Sequence, residues 1–181
     1  MFDFSAFFAQ YGALFAQGTL DTLIMTCVAT LLAYVIGIPL GILLVVTSPN
    51  GLRPNRVVST IVGWIVNIGR SIPFIILLVA LIPFTRFIVG TSLGVPGAIV
   101  PLVVTAAPFA ARMVEQSLEE TDGGLVEAAQ SFGASTWQIV WKVYLKETLP
   151  SLVRGVAITF VTLFGYSAMA GTVGAGGLGD I

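Results

Sequence analysis

Residues 22–52 read TLIMTCVATLLAYVIGIPLGILLVVTSPNGL, 31 positions without one charged side chain. A helix needs roughly 20 apolar residues to cross about 30 Å of hydrocarbon, so this stretch is long enough to span a membrane. The pattern recurs along the chain. Phe87–Ala111 and Gly155–Gly179 are charge-free runs of 25 residues, and Val57–Thr85 is a run of 29 broken only by Arg70. Four transmembrane helices are therefore expected, near 20–46, 60–85, 94–113 and 151–173, in one all-α integral membrane domain over 1–181.

Composition excludes the other classes. Of 181 residues, 8 are Lys or Arg and 9 are Asp or Glu, so 9% are charged while 56% are hydrophobic. An average soluble domain is roughly 25% charged, and a mean hydropathy of +0.99 is far from that of a disordered chain. A net charge of −1 with scattered basic residues leaves no phosphate-neutralising surface for nucleic acid. The chain has no His, which removes Ser-His and Cys-His pairs and histidine metal ligands. Cys27 alone makes neither an internal disulfide nor a thiolate zinc site. No catalytic residue, metal or cofactor of its own is expected.

The basic residues set the orientation. With the N-terminus outside, Arg53, Arg56, Arg112, Lys142, Lys146 and Arg154 are cytoplasmic and only Arg86 lies outside, as the positive-inside rule requires. Residues 1–18 carry no Lys or Arg and are not a secretory signal. Their Phe4, Phe7, Phe8, Tyr11 and Phe15 recur at helical spacing, which reads as an amphipathic anchor in the outer interface or else as a frayed tail. Arg70 is either a functional or pairing charge inside its span, or it snorkels from a shallow depth at the cytoplasmic interface. Pro73 weakens the helix just after it. Ala29, Ala33, Gly37 and Gly41 place four small residues on one face of the first span, where another helix can approach closely.

Residues 112–154 hold 10 of the 17 charges and must lie in water. Leu125–Phe132 reads as a short helix with Asp122 as N-cap and Gly133 as its stop. Ser135 and Gln138 form a capping box opening a second helix. Spacings of four, three and four put Trp137, Trp141, Tyr144 and Thr148 on one face of it. That face either folds back under the membrane helices or anchors a soluble partner.

The run Glu127-Ala128-Ala129-Gln130-Ser131-Phe132-Gly133, followed by Ala134, resembles the cytoplasmic Glu-Ala-Ala loop of ABC-importer permeases. After nine intervening residues, 134–142, Val143 fills the family's aliphatic position and Leu145 its leucine; Lys146 stands where the family has proline. Arg70–Leu78, Ile82–Arg86, Ala106–Glu115 and Gly165–Gly171 are similar to the methionine-uptake branch of that family. The resemblance implies a type I ABC-importer permease fold and a homodimer in the bacterial inner membrane. It implies docking on two cytoplasmic ATP-binding subunits, which would bind the ATP, and delivery of methionine by an extracytoplasmic binding protein. The cytoplasmic segment 114–150 becomes a coupling loop carried by Glu127, Ala128, Ala129, Gly133, Ala134 and Leu145. In it Glu127 caps or pairs with a cation, its own or the partner's. Tyr166, Ser167 and Met169, with Ser71 and Pro73 as weaker candidates, become substrate-path or gate residues; alternatively Tyr166 and Met169 only fill helix contacts. The family also has a fifth span, so a chain ending at Asp180-Ile181 is expected to be truncated, the alternative being a dimer closed without that helix.

Gly174-Ala175-Gly176-Gly177-Leu178-Gly179 matches the dinucleotide fingerprint in form only, because it follows a membrane span and precedes no helix. Residues 174–181 are expected to be an extracytoplasmic end beside the binding-protein docking site. No Gly-Lys-Ser/Thr occurs, so ATP hydrolysis belongs to another chain. The competing readings are a permease for another small amino acid or solute, and an ATP-independent secondary transporter or channel. The latter would usually show coupling carboxylates or inverted repeats, which this sequence lacks.

Overall fold

The computed structural model describes residues 4–181, with side chains from Gln10 onward. Among these, every regular element is helical: α1 (Phe4–Thr47), α2 (Arg56–Ser71), α3 (Phe74–Ala80), α4 (Ile82–Val89), α5 (Gly94–Glu119), α6 (Gly123–Ser131), α7 (Thr136–Ile139), a π turn (Val140–Tyr144), α8 (Leu145–Glu147) and α9 (Leu149–Gly171). A final 3-10 turn covers Leu178–Asp180. In a bilayer each backbone N–H and C=O must find its partner within the segment, which leaves the helix as the local solution for such apolar runs.

Gln10–Thr47 within α1, Gly94–Glu119 and Leu149–Gly171 are long and apolar enough to cross a membrane. The fourth expected span is not one helix over 60–85. It is a broken pair, α2 and α3, with α4 following. Pro73 has no N–H to donate and disfavours helical backbone at Ile72, so α2 stops at Ser71 and Pro73 becomes the N-cap of α3. From Phe4 the expected interfacial segment and the first span also merge, because α1 runs without interruption from Phe4 to Thr47. The expected anchor residues Phe4, Phe7 and Phe8 lie outside the described side chains; Tyr11 and Phe15 are exposed. The third span runs to Glu119, past the expected end at 113.

The described residues fall into two compact units. The first comprises those up to Leu31, Ile72–Ala106 and Phe160–Ile181. Its core contains Met25, Leu102 and Leu163, with Thr26 buried beside them. The Thr26 and Thr30 hydroxyls each donate to the carbonyl four residues back at 2.7 Å, which removes the cost of carrying a hydroxyl in an apolar layer. The glycine-rich end packs on this unit. Leu178 N–H donates to Thr22 Oγ1 at 2.9 Å. Gly177 has φ +80°, and a Cβ there would lie 2.7 Å from Thr22 Oγ1 and 2.8 Å from Met25 Cε. Both the conformation and the space require glycine.

The second unit comprises Leu32–Ser71 and Ala107–Thr159. Leu44, Val66 and Ala111 form its buried cluster, with Leu40 and Val62 packed against it. The small-residue face is used as the spacing suggests: Ala33, Gly37 and Gly41 are buried here, as Ala29 is in the first unit. A Cβ on Gly37 would stand 2.7 Å from the Ala110 Cβ, and one on Gly41 would stand 2.6 Å from Val114 Cγ1. Tyr34 and Thr159 hydroxyls meet at 3.3 Å in the same unit.

Gly37→Val is expected to destabilise the protein by about 1–3 kcal/mol through overpacking. Gly63, also helical, has only Leu44 Cδ2 near a notional Cβ, at 4.0 Å. Gly63→Ala is therefore expected to be neutral or to stabilise by up to about 1 kcal/mol. Thermal unfolding of both variants in the same detergent checks the pair.

Candidate functional site

The segment joining α5 to α9 is built from capping chemistry. Asp122 Oδ1 accepts from Gly124 N–H at 2.8 Å and starts α6. At the other end Gly133 N–H donates to Gln130 O at 2.9 Å and Ala134 N–H donates to Ala129 O at 3.0 Å. Those two bonds, with Gly133 at φ +77°, are a Schellman stop. Ser135 then opens α7 by a reciprocal box: Gln138 N–H donates to Ser135 Oγ at 3.3 Å, and Ser135 N–H donates to Gln138 Oε1 at 2.8 Å. The chain therefore turns between two helices with its backbone groups paired internally.

This knuckle presents apolar atoms to the outside. Phe132 is 91% exposed, and the notional Cβ of Gly133 meets nothing within 4 Å. Glu127 and Ala128 are exposed, while Ala129, Ala134 and Leu145 are half-buried. Phe132 is the residue that motif reading passed over. Its signal was an aromatic placed directly before the helix-stopping glycine. The Glu127 carboxylate pairs with no cation among the described residues. It borders a cleft of about 600 Å³ with Glu119, Gln130, Asn50 and Tyr144.

The expected aromatic face divides in two. Trp137 and Trp141 are exposed and meet edge to face, with ring centroids 5.5 Å apart. Tyr144 and Thr148 are buried, and Thr148 Oγ1 donates to Tyr144 O at 2.8 Å. The cause is the π turn at Val140–Tyr144, whose wider winding breaks the i, i+3, i+4 register. Burial pushes the Tyr144 phenol above its ordinary range and keeps it neutral.

In the first unit, Tyr166 stacks flat on Phe74, centroids 4.8 Å apart and planes 3° from parallel. Ser167 is buried and its hydroxyl donates to Phe164 O at 2.7 Å, so that group is occupied within its own helix. Met169 is half exposed, and Pro73 is exposed at the start of α3. In the second unit, Ser71 is exposed and donates to Asn67 O at 2.7 Å. Arg70 is exposed in the last turn of α2, its guanidinium 6.0 Å from the Phe109 ring centroid. Arg112 pairs with Glu115 and donates through Nη2 to Asn67 Oδ1 at 2.8 Å. Spacing alone did not single out this Arg112–Glu115–Asn67 group.

Residues 37–181 match the family model described as binding-protein-dependent transport system inner membrane component. The chain is 57% identical over 158 residues to the D-methionine transport system permease protein MetI of Escherichia coli strain K12, covering 87% of this chain and 73% of that protein. It is 54% identical over 163 residues to the probable D-methionine transport system permease protein MetI of Pasteurella multocida strain Pm70, covering 90% and 75%. The solved structure of inward-facing conformations of the MetNI methionine ABC transporter matches with a TM-score of 0.94 at 56% identity, over 95% of this chain and 80% of that chain. The crystal structure of an amino acid ABC transporter with histidines matches with a TM-score of 0.78 at 18% identity, over 99% and 80%, a likeness of fold alone.

Because the open space around Gly133 leaves only its backbone angle at stake, Gly133→Ala is expected to cost about 1–2 kcal/mol. Gly133→Asn, whose side chain tolerates the left-handed region, is expected to cost less than half of that. Thermal unfolding of the two variants side by side tests whether conformation, not contact, fixes this residue.

Proposed function

Since the chain belongs to the family of binding-protein-dependent transport system inner membrane components, we propose that it is the permease subunit of an ATP-driven methionine importer. It works as a homodimer in the bacterial inner membrane with its N-terminus outside, on two cytoplasmic ATP-binding subunits that carry the ATP. An extracytoplasmic binding protein delivers the substrate. The observation that carries the cargo is the 57% identity to a D-methionine permease. The observation that carries the coupling is the internally capped knuckle with its exposed Phe132.

Such a subunit makes and breaks no bonds. It passes between states, and a partner can drive it only by binding those states with different affinity. A stiff element must carry that difference from the partner to the membrane. From Thr136 the chain is helical to Gly171 except at Thr148, where Thr148 N–H still donates to Tyr144 O and Leu152 N–H to Thr148 O. Force applied at the knuckle therefore enters the last membrane helix without crossing a flexible loop. Phe132 supplies an aromatic anchor of the kind that dominates interface energies. Glu127 is left free to pair with a basic group of the ATP-binding subunit.

Within the first unit, passage is assigned to Tyr166 and Met169, with Pro73 as a weaker candidate; Ser71 of the second unit is a weaker candidate taken by itself. Tyr166 on Phe74 offers an aromatic surface, and Met169 adds a flexible thioether suited to a narrow gate or to a thioether cargo. Ser167, buried and self-paired, serves the helix packing around them.

Reconstituted with an ATP-binding subunit and a binding protein, the permease is expected to accumulate labelled methionine in vesicles only with ATP. ATP-independent accumulation, or transport of other amino acids but not methionine, would overturn the assignment. Phe132→Asp is expected to weaken capture of the ATP-binding subunit about tenfold or more while leaving membrane insertion and thermal stability unchanged. Unaltered capture would remove Phe132 from the interface.

A further inference from the structure

A second feature of the cytoplasmic segment is used by neither coupling nor passage. The Trp137–Trp141 pair and Val140 wall an apolar groove of about 470 Å³ whose opposite wall is α1, through Val35, Ile38 and Ile42. The residues of α1 along it run from Tyr34 to Val46, about 18 Å of helix axis at 1.5 Å per residue. Half of a 30 Å hydrocarbon core is about 15 Å, so the groove has the length of one lipid leaflet. That wall belongs to the charge-free run 22–52, and the first basic residue after it is Arg53.

Arg53 stands at the rim. Its Nε donates to Oγ1 of Thr136, itself a groove residue, at 3.1 Å. Arg53 is exposed, and the ion pair among the described residues is Arg112–Glu115, so no carboxylate neutralises this guanidinium. An apolar slot one leaflet deep, closed on one side by two tryptophans and carrying an unneutralised cation at its water-facing end, is complementary to one kind of molecule. The chain of a lipid fills the slot, its phosphate meets Arg53, and the tryptophans take the interfacial depth they ordinarily prefer.

We propose that this groove is a binding site for an anionic phospholipid of the cytoplasmic leaflet, held by an acyl chain against α1 and by its headgroup at Arg53. The site requires the membrane orientation proposed above but is independent of the cargo. It places a lipid against the helix that bears the coupling knuckle, so lipid composition would bear on how firmly that helix is seated.

The test uses the permease in complex with its ATP-binding subunit, in bilayers doped with brominated phosphatidylglycerol or brominated phosphatidylcholine. Fluorescence quenching is read as the difference between the protein and its Trp137→Phe/Trp141→Phe variant, which removes the signals of Trp64 and of the partner. Brominated phosphatidylglycerol is expected to half-quench the pair at about a fivefold lower mole fraction than the phosphatidylcholine. Arg53→Gln should abolish that preference and Arg53→Lys should retain it, with methionine uptake measured in parallel to show that both variants are assembled. Equal quenching by the two lipids would reduce the groove to ordinary boundary lipid contact and overturn the site. Absence of quenching by either would mean that protein covers the pair, and would overturn it equally.

Discussion

In a bilayer two apolar helices gain nothing from hiding apolar surface, because lipid tails are as apolar as their side chains. What holds helices together there is close van der Waals approach, and that depends on small residues facing each other. Gly37 and Gly41 bring α1 onto α5 at Ala110, Ala111 and Val114 with less room than one methyl group at each crossing. The rest of the second unit is set from that contact. Beyond it α1 ends at Thr47, where turn bonds from Gly51 N–H to Ser48 O at 2.9 Å and from Asn55 N–H to Thr47 O at 3.0 Å lead into α2. The same contact holds Val66 of α2 against Leu44 and Ala111. It also places the α1 wall against which Trp137 and Trp141 enclose the apolar groove.

Much of this was legible in the sequence, and the legible parts share a cause. Charge-free length reports membrane crossing because the penalty for a buried charge is large compared with any other term. Asp122, Gly133 and the Ser135–Gln138 box were legible because caps are local, each settled within four residues. The misreadings were cases where a neighbour-to-neighbour rule met a change of winding. Pro73 broke a run whose composition looked uniform, and nothing in mean hydropathy registers one missing N–H. The π turn at Val140–Tyr144 shifted the register, so four residues with perfect α spacing ended as two exposed and two buried. The hydroxyl of Ser167, a candidate for the substrate path, donates to the carbonyl one turn back, as hydroxyls in apolar helices usually do.

The two glycine-rich signals show why residue type needs context. Gly133 has open space around it and is required for its backbone angle alone. Gly177 needs both the angle and the missing side chain, since Thr22 and Met25 occupy the space a Cβ would take. The formal dinucleotide fingerprint at 174–179 is thus spent on seating the chain against α1, with Gly94 N–H donating to Gly174 O at 2.8 Å as a further tie. No N–H cluster at a helix start remains there to receive a phosphate.

With 17 charges in 181 residues, each one that lacks an opposite partner must be stabilised by something else. Arg112 is matched by Glu115 and by the Asn67 side chain, and α5 carries Glu115 beyond the end expected at 113. Among the described residues Arg70 makes no close ion pair, though its charge reaches the Glu115 carboxylate. It sits in the last turn of α2, where the helix dipole presents its negative end, and over the electron-rich face of Phe109. Those two partial charges, its exposure and the Glu115 carboxylate within coulombic reach stabilise the cation at the point where Pro73 has already interrupted the helix. Arg53 is exposed to water as well; its N–H donates to Val46 O at 2.9 Å in the last turn of α1 and its Nε donates to Thr136 Oγ1 at 3.1 Å, and the proposed headgroup would add there the opposite charge that Glu115 supplies to Arg70.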